Sequence, residues 1–206
     1  MKKLALALSV VAAMSSPANA EGNAEAGKTK ALICSACHGI DGNSMIDMYP
    51  KISGQHASYL EKQIHDFRSA AMSGGKEGRM DPIMGGMTMA LSDQDIADLA
   101  AYFASNPIQA VAVTDVPALG ESLYKGGDTA RGITGCIACH GPDGKGAAAA
   151  GFPTLAGQHT NYIKIQLNKF RDGSRNNDLN GMMQDVAKKL TDADIEALSK
   201  YISSIK

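Results

Sequence analysis

All four cysteines and two of the five histidines of the 206-residue chain fall into two copies of one short pattern. Cys34, Cys37 and His38 stand in ICSACH, and Cys136, Cys139 and His140 in GCIACH. Both read C-x-x-C-H, the pattern of covalent c-type haem attachment. The spacing has a chemical reason: two thiols one helical turn apart can each add to a vinyl group on one porphyrin edge, and the adjacent imidazole can then reach the iron. One covalently attached haem c per motif, two in all, is the expectation. A redox disulfide would need strands alternating with helices around a C-x-x-C, and the sequence lacks that alternation. A zinc site built from both cysteine pairs would gather ligands 102 residues apart and ignore the repetition of the motif.

The second axial ligand has to come from elsewhere. Eleven methionines are present, and Met45, Met48, Met72, Met80, Met84, Met87 and Met89 all follow His38, whereas only Met182 and Met183 follow His140. Aligning the segments LSDQDI and LTDADI by Leu91 and Leu190 places Met84 and Met183 each seven residues before the leucine. Met87 then falls opposite Val186, Met89 opposite Lys188 and Met182 opposite Ile83. Met84 and Met183 are therefore the expected thioether ligands, with Met87 the main competitor in the first half; the other methionines read as flexible apolar filler. His56 and His159 also match, in G-Q-H turns, and read as surface or haem-edge residues. A carbonyl near Pro50 or Pro153 could accept the remaining imidazole N–H of the proximal histidine and strengthen its ligation. Arg68 and Arg171 coincide and have two readings, partners of haem propionates or solvated helix ends. Tyr59 and Tyr162 read as packing residues. His65, opposite Asn168, has no assigned role.

The elements that must hold these groups are also written twice. YPKISGQHASYLEKQIHDFR, from Tyr49, recurs as FPTLAGQHTNYIKIQLNKFR, from Phe152, and LSDQDIADLAAYF, from Leu91, as LTDADIEALSKYI, from Leu190. Ile96, Leu99, Ala100 and Phe103 recur at helical spacing, and Ile195, Leu198 and Ile202 repeat the stripe. Ser92 with Asp95, and Thr191 with Asp194, read as caps that open these helices. A first helix is expected from about Asn23 into the cysteine motif, and others over Tyr59–Ala70 and Tyr162–Arg171. No sustained strand alternation occurs, so the expected fold is all-α, two tandem domains related by duplication. Their expected limits are 21–110 and 111–206, with the junction in SNPIQAVAVTDVPA, where Pro107 and Pro117 interrupt helical periodicity. Each unit is small enough that a core of side chains alone would be marginal. The two are expected to lie against each other.

Residues 1–20, MKKLALALSVVAAMSSPANA, have the charged start, short apolar run and A-x-A end of a secretory signal. Export, to a bacterial periplasm, is the expectation. No further long apolar segment follows, so membrane spanning is not required, while peripheral association at a membrane surface stays open. The chain carries 20 basic and 21 acidic side chains, too balanced to hold nucleic acid by counterion release. The balance is uneven along the chain: residues 21–113 hold 7 basic and 11 acidic groups, and residues 114–206 hold 11 and 10. The halves should accordingly differ in partner preference and potential.

The signal, both C-x-x-C-H motifs, the turns YPKISGQH and FPTLAGQH, the FR helix ends and the LSDxDI helix together resemble the dihaem cytochrome c4 family, over essentially the whole mature chain. The resemblance implies two class I cytochrome c domains with His/Met ligation, His38 with Met84 and His140 with Met183. It further implies a periplasmic electron carrier rather than an enzyme. Such a carrier is supplied by a quinol-oxidising complex or another cytochrome and delivers to a terminal haem-copper cytochrome c oxidase. It also implies two haems close together across a pseudo-twofold interface, propionates facing. The methionine-rich loop RMDPIMGGMTMALSD departs from the family pattern and leaves Met84 less firmly in register than Met183.

Overall fold

The structure, a computed structural model, describes residues 21–206; the expected export signal lies outside the described residues. Helix α1 (Ala24–Lys30) begins on Asn23, whose side chain accepts from the Ala26 N–H, and passes through a 3-10 turn (Ala31–Ile33) into the short α2 (Ser35–His38) of the first cysteine motif. Helix α3 (Ala57–Ser73), α4 (Pro82–Thr88) and α5 (Asp93–Ser105) complete the first half. The second half repeats this order with α6 (Ala118–Gly126), α7 (Ile137–His140), α8 (Thr160–Arg171), α9 (Met182–Ala187) and α10 (Asp192–Ser204). Among the described residues β structure is confined to two isolated bridges, Asp128 with Ile133 and Ala147 with Phe152.

Local sequence explains the main boundaries. Ser92 and Asp95 form a complete capping box at the start of α5, and Thr191 and Asp194 form its equivalent at α10, each satisfying two backbone N–H groups that have no partner inside the helix. Pro82 occupies the first turn of α4, where its missing N–H costs nothing, and Asp81 caps the next two residues. Helices α3 and α8 start two residues earlier than their apolar pattern suggests, on His56 and His159, which make no side-chain cap.

Each half packs its first helix across its last, α1 on α5 and α6 on α10, with α3 or α8 and the short methionine helix closing the other side. The apolar stripes face inward as expected: Leu99, Ala100 and Phe103 join Ala31, Leu60 and Tyr102 in one cluster. Ile195, Leu198 and Ile202 join Leu123, Tyr124, Ile133, Ile163, Leu167 and Leu190 in the other. The crossings depend on two equivalent glycines. A Cβ on Gly27 would collide with the Asp98 carbonyl of α5, and one on Gly120 with the Ala197 carbonyl of α10. Arg68 and Arg171 staple these same bundles. Arg68 donates to the Leu91 carbonyl (2.7 Å) and Asp93 (2.5 Å), and Arg171 to the Leu190 carbonyl (3.2 Å) and Asp192 (2.6 Å). Of the two readings of this arginine pair, the structure favours the helix end, tied to the next capped helix. His65 and Asn168 sit at the same place in that staple, bonding Arg68 (2.9 Å) and Arg171 (2.7 Å).

Residues 106–117 contain no helix and connect the halves. Asn43 bonds the Pro107 carbonyl (3.0 Å) and the Gln109 N–H (2.8 Å), and the buried Lys51 ammonium bonds the Gln109 carbonyl. The connection is thus fastened to the first half. No helix among the described residues is long and apolar enough to cross a membrane.

Candidate haem centres

The proximal histidines are built alike. His38 and His140 each end a short helix on a glycine in positive φ, Gly39 and Gly141, a backbone turn that side-chain-bearing residues resist. Both rings are buried, 7% and 6% exposed. His38 Nδ1 lies 2.9 Å from the Pro50 carbonyl and His140 Nδ1 3.0 Å from the Pro153 carbonyl, as the matched prolines predicted. A carbonyl can only accept, so the proton sits on Nδ1 and Nε2 keeps its lone pair. Burial pushes both imidazoles below the usual histidine range, partly opposed by the carbonyl contact, so both are neutral at pH 7. A neutral, oriented imidazole with a free Nε2 is the donor an iron requires.

The four cysteines are unpaired, half-buried thiols. Burial raises Cys34 and pushes Cys136 up to about 11. Neither of these two thiols is depressed in the way the attacking thiol of a redox-active C-x-x-C is. Among the described residues no cluster of His, Cys, Asp and Glu is arranged to hold a metal by itself. The donor set fits haem: two thiols for covalent attachment beside one neutral imidazole, twice.

Met84 and Met183 occupy corresponding places. Helices α4 and α9 end on C-caps Met89 and Lys188, and the N–H groups of Leu91 and Leu190 return to the Thr88 and Ala187 carbonyls, all in the same register. Both methionines are half-buried, and Met183 packs against the core of its half. Met87 is exposed, at 39%.

The sequence reading missed what lies between the halves. His159 is buried rather than at the surface. Its Nε2 donates to the Ser44 carbonyl (2.8 Å), while His56 Nε2 donates to the Lys145 carbonyl (2.9 Å), each reaching into the opposite half. Gln55 and Gln158 likewise cross over, to the backbone of Thr154 and Lys51. Arg79 and Arg175 meet beside them. Both guanidiniums donate to Gln63 Oε1 (2.8 and 3.1 Å) and to Gln166 Oε1 (2.8 and 2.9 Å), and Arg175 donates to the Tyr59 hydroxyl (2.8 Å). Arg79 reaches the Tyr162 hydroxyl at 3.3 Å. Each also stacks on an aromatic ring, Arg79 on Phe67 and Arg175 on Phe170. Tyr59 and Tyr162, expected to pack, are hydrogen-bond acceptors in this junction. The two arginines stand 96 residues apart, off the offset of the repeat, because the loops that carry them differ in length. Their equivalence shows in the structure, where Arg79 N–H bonds the Asp66 carbonyl and Arg175 N–H that of its counterpart Lys169, and where the two guanidiniums stack on the matched rings Phe67 and Phe170.

The sequence profile of the Cytochrome c family matches residues 24–107 and again 118–206. Cytochrome c4 of Pseudomonas aeruginosa is 44% identical over the full length of both chains. The chain belongs to the cytochrome c4 family. The crystal structure of reduced recombinant cytochrome c4 from Pseudomonas stutzeri superposes with a TM-score of 0.86 at 43% identity, covering 90% of this chain and all of that one. A thiosulfate dehydrogenase electron acceptor of Stutzerimonas stutzeri is 36% identical across 85% of this chain and 80% of its own. The all-α fold of two cytochrome c domains is thereby established, as is covalent attachment of haem c at two C-x-x-C-H motifs, and cytochrome c4 proteins are electron carriers.

Proposed function

We propose that this cytochrome c4 is an exported, purely electron-transferring protein with domains 21–110 and 111–206. His38 and Met84 are the axial ligands in the first, and His140 and Met183 in the second. The observation that carries the reading is the duplicated proximal arrangement, a neutral imidazole oriented by a proline carbonyl, followed in each half by one methionine in matched register. Bound haem supplies an iron that gains and loses one electron, and thioether ligation with burial favours its reduced state. The chain supplies the rest. Its histidine and methionine fill both axial positions, and its helices hold them at fixed spacing.

Arg79 and Arg175 are the residues suited to the haem propionates, in place of Arg68 and Arg171. All their side-chain partners are neutral oxygens, and among the described residues neither forms an ion pair. Two guanidiniums in such surroundings favour carboxylates.

The acidic first half and weakly basic second half support two unlike docking ends. The periplasm is the proposed location of the protein itself; a quinol-oxidising complex or another cytochrome is the proposed donor, and a terminal haem-copper oxidase the proposed acceptor. A second reading, electron acceptor to a docked dehydrogenase, is favoured by the likeness to the thiosulfate dehydrogenase electron acceptor. Coulometric titration of the purified holoprotein tests the common core of both. Uptake of two electrons per chain in two one-electron steps, without turnover of thiosulfate or peroxide by the isolated protein, is expected. Turnover in the absence of a partner would overturn it.

A further inference from the structure

The peptide unit that orients each proximal histidine is also the unit gripped by the other half. The Pro50–Lys51 peptide accepts from His38 Nδ1 through its carbonyl (2.9 Å), and its N–H, that of Lys51, donates to Gln158 Oε1 (2.9 Å). Gln158 Nε2 donates back to the Lys51 carbonyl (2.8 Å). The mirror arrangement holds in the copy. The Pro153–Thr154 peptide accepts from His140 Nδ1 (3.0 Å), its N–H donates to Gln55 Oε1 (3.0 Å), and Gln55 Nε2 donates to the Thr154 carbonyl (2.9 Å). Neither amide can be reversed without loss, because each Oε1 also accepts the N–H of the next residue, His159 or His56, at 3.0 Å.

A peptide group is conjugated. Donation by its N–H to an acceptor increases negative charge on its carbonyl oxygen, and hydrogen bonds in such a chain strengthen one another. A more negative carbonyl draws harder on the Nδ1 proton and makes Nε2 a stronger donor to the iron. We propose that Gln158 and Gln55 are positioning residues acting crosswise, each glutamine setting the ligand strength of the proximal histidine in the opposite domain through a single peptide bond. The inference rests on the ligand assignment proposed above. The relay to His38 runs through buried groups, with Lys51 and Gln158 5% and 8% exposed, whereas Gln55 and Thr154 are half-buried. Water can substitute in the second relay more readily, so His38 is the more responsive histidine.

The test uses the full-length dihaem protein labelled with nitrogen-15 histidine, observing the Nδ1 protons of both proximal rings in the ferrous state and both reduction potentials. In Gln158→Leu the His38 Nδ1 proton moves upfield and the potential of the first haem rises, while His140 and the second haem stay put. Gln55→Leu gives the opposite pattern with a smaller shift. Gln158→Glu, which keeps a stronger acceptor at the same place, moves the His38 proton downfield and serves even where the leucine variant fails to assemble. Shifts confined to the glutamine's own domain, equal shifts in both, or none in either would overturn the relay. Failure of the ligand assignment looks different: the unsubstituted protein would then lack the Nδ1 signals of iron-bound histidines altogether.

Discussion

Replacing Met183 with alanine is expected to abolish the low-spin His/Met signature of one haem and leave the other intact, and Met84→Ala to do the same for its partner. Each is the only half-buried methionine on the short helix before the capping box of its half, and the two stand in the same register. Alanine cannot reach the iron. The affected centre loses the ligand that raises its potential, so its potential falls while that of the other haem changes little. Optical and paramagnetic resonance spectra of the ferric variants, read beside redox titrations, measure both effects. Met87→Ala, at an exposed site, is expected to leave both signatures in place. If Met87→Ala removed one signal and Met84→Ala removed none, the register of the methionine-rich loop would be wrong.

The second large effect concerns the fold that presents these ligands. Gly27→Ala and Gly120→Ala each force a methyl group onto a backbone carbonyl of the helix packed across it, Asp98 of α5 and Ala197 of α10. Backbone cannot rotate aside as a side chain can, so the helices must separate along a core that includes Leu99 and Phe103, or Leu198 and Ile202. Overpacking costs about 1–3 kcal/mol and falls at the upper end where the obstacle is backbone, a large part of the stability of a small domain. The unfolding midpoint of the holoprotein should fall by roughly 6–12 °C. Gly86→Ala and Gly126→Ala are internal controls, since a Cβ at either position meets nothing within 4 Å. They are expected to be neutral or slightly stabilising by helix propensity. Equal behaviour of Gly120→Ala and Gly126→Ala would contradict the tight crossing.

The contrast between these sites and the domain junction shows what a single sequence can carry. The capping boxes at Ser92 and Thr191, the inward stripes on α5 and α10 and the carbonyls at Pro50 and Pro153 were legible because each depends on residues close together in the chain. The repeat then doubled every such signal. The burial of His159 and the cross-half bonds of both His56 and His159 were missed because their partners, the Lys145 and Ser44 carbonyls, lie 89 and 115 residues away and belong to the other half. A backbone carbonyl leaves no mark in residue type. Arg79 and Arg175 were invisible for a different reason. Loops of unequal length took them out of register, whereas Arg68 and Arg171 did align and were left with two readings, propionate partner or helix end. The internal repeat marked a staple between helices that recurs in both halves; burial and shared acceptors marked the cations of the interface.

The same junction links fold to function. Gln158 and Gln55 each grip, from the opposite half, the peptide that orients a proximal histidine, so the contact that joins the domains also reaches the backbone behind both histidines. Two small helical units, each with a marginal core of its own, are thereby joined by side chains that also back the histidines of both C-x-x-C-H motifs.

The most direct measurement is the intact mass of the protein purified from an exporting host with its haem-attachment machinery. A mass equal to the chain plus two porphyrin groups that survive denaturation, located by digestion to the peptides holding Cys34 with Cys37 and Cys136 with Cys139, is the predicted result. A single adduct, or haem lost on denaturation, would contradict the account.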